Sequence, residues 1–207
     1  MKYILIFCSL TILFLSCKKD EIIFTVRGKI SDNTHSTALA GAEVKLYSFE
    51  LGSSLGTYES SVYTNSLGEY TINFERAKYE KIELVISREN YFSKTEEIPF
   101  SNLSTEEDNI LNYGLNAKSW TKFIFVNQQP SVQDELKLLK SSGKTDCADC
   151  CPDGYSFYYG AVDTSFICAN DGNTYMKFYY WVNGNEQSGV DSVFNTPYDT
   201  VTYELYY

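Results

Sequence analysis

From Ile22 onward, apolar and polar residues alternate with a period of two, and a chain written that way buries one face only as a β-strand. Phe24, Val26, Gly28 and Ile30 fall on one face of the first such run, and Thr25, Arg27 and Lys29 on the other. After a polar loop over residues 32–37 and a turn at Gly41, Ala42, Val44 and Leu46 alternate with Glu43 and Lys45. Asn65 and Gly68 mark a turn before Tyr70, Ile72 and Phe74, while Ile82, Leu84 and Ile86 repeat the pattern and residues 91–98 offer another strand. The composition agrees: 18 Tyr and 13 Phe against 2 Met and 4 Pro favour pleated sheet. About five or six short, turn-punctuated strands predict an antiparallel sandwich over residues 22–117.

Residues 101–109 are polar and acidic without apolar periodicity, so they read as a long loop into Ile110–Leu115, with the domain boundary just beyond. A second module is expected over 118–207. Its strands include Trp120–Val126, Tyr175–Val182 ending at the turn dipeptide Asn183-Gly184, and a C-terminal run in which Val201, Tyr203, Leu205 and Tyr207 alternate with polar residues and Tyr206. One short connecting helix is also expected. Ser131 would be its N-cap, Val132, Leu136 and Leu139 its apolar face, and Gly143 its stop. The expected fold is all-β, two antiparallel β-sandwich modules, the second carrying that helix.

Charge and residue counts exclude several functions. With 17 Lys+Arg against 27 Asp+Glu, the net charge of -10 repels a polyanion, so no nucleic-acid partner is expected. His35 is the single histidine, which removes any His-pair metal site. Although Asp32 and Ser36 stand near it, residues that close in one polar loop seldom converge on a reacting atom, and His35 reads as an exposed loop side chain. No catalytic residue, metal site or cofactor is expected. Asn170-Asp171-Gly172-Asn173 reads as a turn rather than a calcium loop, because EF-hand spacing and the terminal Glu are missing.

Residues 1–16 read as a signal peptide: Lys2, then an apolar run from Tyr3 to Leu15 that rises about 20 Å as a helix, short of the roughly 30 Å hydrocarbon core. Phe14-Leu15-Ser16-Cys17 resembles a bacterial lipobox, with Phe14 departing from the usual aliphatic first residue. That resemblance implies cleavage before Cys17 and acylation of Cys17, whose several acyl chains would anchor the protein stably to membrane lipid. Residues 17–21 would form the tether. Lys19-Asp20-Glu21 is similar to the surface-export signal of some Gram-negative lipoproteins, the alternative being a solvated charged spacer.

Of six cysteines, Cys8 would leave with the signal and Cys17 would carry lipid, leaving Cys147, Cys150, Cys151 and Cys168. An even number in an exported chain predicts disulfides. A vicinal Cys150–Cys151 bridge is strained, so two pairings compete: Cys147–Cys150 with Cys151–Cys168, or Cys147–Cys151 with Cys150–Cys168. A four-thiolate zinc site and a redox C-x-x-C are the alternatives. An oxidising compartment disfavours the zinc site, and the turn signal Pro152-Asp153-Gly154 disfavours the redox site.

Val26-x-Gly28-x-Ile30, Leu39-x-Gly41-Ala42-x-Val44 and Thr64-Asn65-x-x-Gly68-x-Tyr70-x-Ile72, in that order, resemble the carboxypeptidase regulatory-like family. The resemblance implies a prealbumin-like Greek-key sandwich for residues 22–117, a noncatalytic accessory of secreted enzymes, adhesins and transporters. It carries over no catalytic residue.

Trp120, Trp181 and Tyr179 are candidate ligand-stacking residues, alongside Tyr158, Tyr159 and Tyr180, with core packing as the competing role for such bulk. The function these features favour is a nonenzymatic, lipid-anchored outer-membrane protein on the surface of a Gram-negative cell, offering a binding or adhesion face to a glycan, a peptide or another envelope protein. Rival classes are a carbohydrate- or peptide-capturing accessory of an outer-membrane transporter, a small glycan hydrolase using a carboxylate pair, and a scaffold on the inner leaflet.

Overall fold

The computed structural model describes residues 22–184 and 187–207. The signal peptide, Cys17, Lys19, Asp20 and Glu21 lie outside the described residues. The chain is all-β, apart from a 3-10 turn over Phe100–Asn102.

The first module comprises β1 (Ile23–Asp32), β2 (Thr37–Ala38), β3 (Glu43–Glu50), β4 (Gly56–Tyr63), β5 (Glu69–Glu75), β6 (Tyr79–Ser87), β7 (Lys94–Pro99), β8 (Asn109–Ile110) and β9 (Tyr113–Leu115). One sheet runs β4-β3-β6-β7. In the other, β1 is flanked by antiparallel β5 on one side and by parallel β8 and β9 on the other, with β2 against its end. The alternation closes the core. Val26, Val44, Leu46, Ile82, Leu84 and Ile86 are all fully buried between the sheets, while their chain neighbours face outward. Strand β4 is illegible in the sequence because its residues, Thr57 to Val62, are polar or half-exposed and bury no apolar row.

Gly28 explains why this strand tolerates no side chain at that point. A Cβ there would lie 1.8 Å from the Leu111 carbonyl oxygen, and that same oxygen accepts a 2.7 Å hydrogen bond from the Tyr70 hydroxyl. Desolvation pushes the Tyr70 phenol well above its usual range, so it stays a donor. Gly68, at φ +72°, has the Ile30 carbonyl 2.4 Å from where a Cβ would sit, and its own carbonyl accepts from Ile30 N–H.

The second module comprises β10 (Lys118–Val126), β11 (Glu135–Ser142), β12 (Gly154–Tyr159), β13 (Asp163–Asp171), β14 (Thr174–Val182), β15 (Gln187–Asn195) and β16 (Thr200–Tyr206). Its sheets run β13-β10-β16, with β16 parallel to β10, and β12-β11-β14-β15. This is the strand order of the first module. Leaving out the two-residue β2 and counting β8 and β9 as one broken strand, each module has seven strands in the same order: the first lies between the fourth, antiparallel, and the last, parallel, and the second lies between the third and the fifth, with the sixth at the edge. Phe123, Phe125 and Phe178 form an edge-to-face core with Met176 and Leu136.

The expected helix over 131–143 is strand β11. Leu136 and Leu138 point inward while Lys137 points out, a period of two, and Val132, assigned to the helix's apolar face, is 95% exposed. Ser131 caps nothing helical. Instead the Asp134 carboxylate accepts from Ser131 N–H and Asn127 Nδ2, each at 2.7 Å, and from Asn183 Nδ2 at 3.1 Å, pinning the approach to β11. Cross-strand pairing with β12 and β14 overrides the three-to-four spacing of Val132, Leu136 and Leu139.

Only Asn116 and Ala117 separate β9 from β10, and polar contacts lock the joint. His35 is an exposed loop side chain, as expected, but it is not without partners. Its Nδ1 lies 2.7 Å from the buried Asp32 carboxylate, and its ring stacks on Tyr198 of the second module at 5.8 Å. The Tyr91 hydroxyl donates to Asp32 at 2.7 Å and meets the Tyr198 hydroxyl. Burial pushes the Asp32 carboxyl up, but hydrogen bonds from His35, from Tyr91 and from the N–H groups of His35 and Thr34 outweigh it and hold the group below its usual range. Ser36 is no part of this cluster, so the three loop residues do not assemble a nucleophile.

Candidate functional site

Three consecutive outward positions on β12 are Tyr155, Phe157 and Tyr159, and the outward positions of β14 are Tyr175, Lys177, Tyr179 and Trp181. Strand alternation fixes which rings these are. Met176, Phe178 and Val182 occupy the intervening positions of β14 and are buried, as Tyr158 is half-buried between Phe125 and Phe166. The outer face of β12-β11-β14-β15 is therefore paved with aromatic rings, of which Tyr155 is 53% and Tyr159 65% exposed.

The rings form a continuous row. Centroids step from Tyr159 to Phe157 at 6.3 Å, to Tyr155 at 6.1 Å, to Trp181 at 6.2 Å and to Tyr179 at 6.0 Å, the last pair stacked at 19°. A second pair, Tyr175 and Phe194, sits at 5.1 Å on β14 and β15. Between the β12 and β14 rings lies Lys137 of β11, its ammonium 4.2 Å from the Tyr155 centroid and 4.8 Å from that of Trp181. Neither Lys137 nor Lys177 is in an ion pair among the described residues. Among the described residues the β12 and β11 part of the face carries one carboxylate, Glu135, opposite Tyr159 at the end of the row.

The candidate residues separate accordingly. Trp181 and Tyr179 stand together on this face. Trp120 does not join them: it is half-buried on β10, in the opposite sheet, paired with Ala169 and Thr200. Of the further tyrosines, Tyr158 and Tyr180 pack on the core, and Tyr159 belongs to the face. The sequence reading missed Tyr155, Phe157, Tyr175 and Phe194, although the period-two spacing of Tyr155, Phe157 and Tyr159 was present to be read.

The cysteine-rich loop frames one end of the sandwich. Cys147 pairs with Cys150 and Cys151 with Cys168, so all four cysteines of the described residues are in disulfides, in the first of the two expected pairings. Cys151 and Cys168 are buried in the core, and Ala169 N–H donates to the Asp149 carbonyl at 2.7 Å, laying the loop along β13. Lys140 fastens it from inside: its side chain is 6% exposed, and its ammonium donates to the carbonyls of Cys151 at 2.6 Å and Lys144 at 2.9 Å, with Asp153 at 3.2 Å. Asn170 is spent on structure too, donating to Asn195 and Thr174 and accepting from Lys144 N–H, while Asn173 closes the β13–β14 turn.

Between the sheets of the second module lies a cavity of about 130 Å³, lined by Phe123, Phe166, Met176 and Phe178 among others. Small-molecule sites usually measure about 300–1,000 Å³.

No protein-family model matches this sequence, and no curated protein matches it. Among solved structures, the chain is similar to the Bacillus anthracis TIE protein, at 14% identity and a TM-score of 0.37 over 89% of this chain and 34% of that one. A streptococcal ancillary pilin gives 11% identity and a TM-score of 0.38 over 90% of this chain and 63% of that one. A Rhodococcus opacus 3-chlorocatechol 1,2-dioxygenase gives 15% identity and 0.32 over 47% and 60%. The chain thus spans about a third of the first and under two thirds of the others. Likeness this distant carries no functional information.

Proposed function

We propose that this protein is a nonenzymatic, lipid-anchored outer-membrane protein exposed at the surface of a Gram-negative cell, and that its working part is the aromatic face of the second sandwich. The lipobox-like Cys17 and the acidic Lys19-Asp20-Glu21 stretch support the anchor and its orientation. The first sandwich, which resembles the carboxypeptidase regulatory-like family in its three motifs, serves as a spacer.

The single observation that carries the reading is the exposed row from Tyr159 to Tyr179. Soluble proteins seldom leave a contiguous apolar patch of rings uncovered unless something docks there. The layout suits the role. The tether enters at the start of β1, and β1, with 10 residues, carries the chain about 33 Å to the locked joint. The second module therefore joins the first at the end of β1 remote from Ile23.

Protease shaving of intact cells tests the location. Loss of the protein with a periplasmic control intact supports the reading. Protection until the envelope is permeabilised overturns the surface assignment.

A further inference from the structure

We infer that the ligand of the aromatic face is an acidic polysaccharide, a chain of pyranose rings bearing carboxylates; this rests on the reading of that face as the binding surface. The ring geometry supplies the first half of the argument. An open row of rings spaced about 6 Å apart, with no enclosing walls, fits an extended polymer laid along it rather than a small molecule held in a pocket. A pyranose presents a flat C–H face to an aromatic ring and projects its hydroxyls sideways, where the phenols of Tyr155 and Tyr179 stand.

Charge supplies the second half. The protein is acidic overall, with a net charge of -10, yet this face carries Lys137 and Lys177, neither of them in an ion pair with another described residue. Lys137 is held in place by two rings at 4.2 Å and 4.8 Å, mid-row, so its ammonium is presented without a carboxylate partner of its own. On the matching sheet of the first module lysines are paired, Lys45 with Glu43 at 3.1 Å and Lys81 with Glu97. A cation left unneutralised among stacking rings is complementary to an anion attached to a flat, hydroxylated ring.

The test uses the full chain in nonionic detergent, titrated calorimetrically with polygalacturonate, alginate and hyaluronate, and with fully methyl-esterified polygalacturonate as the uncharged control. At least one carboxylate polymer is expected to bind. Esterification is expected to weaken polygalacturonate binding about tenfold, as is Lys137→Gln, and Trp181→Ala to abolish binding with the circular dichroism unchanged. Tyr155→Ser provides a second, milder lesion of the row should Trp181→Ala disturb the fold. Binding of none of the three acidic polymers overturns the inference, as does binding indifferent to Lys137 and to the ester. Equal binding of the neutral polymer, still lost in Trp181→Ala, overturns the acidic ligand while leaving the face as the binding surface. Binding untouched by both Trp181→Ala and Tyr155→Ser overturns the face itself.

Discussion

The two sandwiches share one strand order and differ in what they show to solvent. On the β4-β3-β6-β7 sheet of the first module the outer face mixes paired charges, Lys45 with Glu43 and Lys81 with Glu97, with the isolated ring contacts of Tyr47 with Tyr58 and of Phe49 with Lys81. On the β12-β11-β14-β15 sheet of the second the equivalent face is aromatic, with Lys137 seated between rings. The cores differ as well. The first buries branched aliphatics such as Val44, Leu84 and Ile86, whereas the second is built from Phe123, Phe125 and Phe178 and is stapled by disulfides. A shared topology thus constrains which strands pair and leaves the outward row of each strand free to specialise, because side chains on that row are not needed to close the core.

Both tryptophans, Trp120 and Trp181, lie in the second module, so their fluorescence reports that module alone. Phe178→Ala is expected to cost about 3–5 kcal/mol and to lower the fluorescence-detected unfolding midpoint. Removing the Cys151–Cys168 bridge by replacing both with Ser is expected to cost about 2–4 kcal/mol in the same transition, read in chemical denaturant. Gly28→Ala strikes the other module: the Leu111 carbonyl must move, at a cost of about 1–3 kcal/mol, seen by hydrogen exchange in residues 22–115 with the fluorescence transition unchanged. A shift of both transitions together would show that the joint makes the modules unfold as one, and would break the comparison.

At the joint, Asp32 is held below its usual range, so the ionised form is the one that folding favours. Its contribution is complete above the unfolded carboxyl value and is lost as pH falls through the lowered folded value, below about pH 4. Asp32→Asn should flatten that acid limb in stability measured against pH. The smallest effect is expected on the charged face: Lys45→Gln should leave the unfolding midpoint nearly unchanged, since its pair with Glu43 lies at the solvent-facing surface.

Much of the first module was legible because its strands alternate strictly, and Gly28 and Tyr70 could be picked out as motif residues before Leu111 was known to be what they share. The second module was less so. Leu136, Leu138 and Leu139 fit both a strand and one helical stripe, and a short apolar run does not choose between them. The candidate site was half legible: Trp181 and Tyr179 stand together, but Trp120 belongs to the opposite sheet, and Tyr155 and Phe157 were passed over.

What the sequence determined by itself was local: the strand periods, the turns at Gly68 and Asn183-Gly184, and the short list of sulfurs that could pair. Tertiary structure alone decided which of the two disulfide pairings forms, that the seven-strand order is used twice, and that rings from β12 and β14 meet across Lys137. Alternation along a strand says that two faces exist, but which face is covered depends on which sheet packs against it, and that is settled by contacts between residues far apart in the chain.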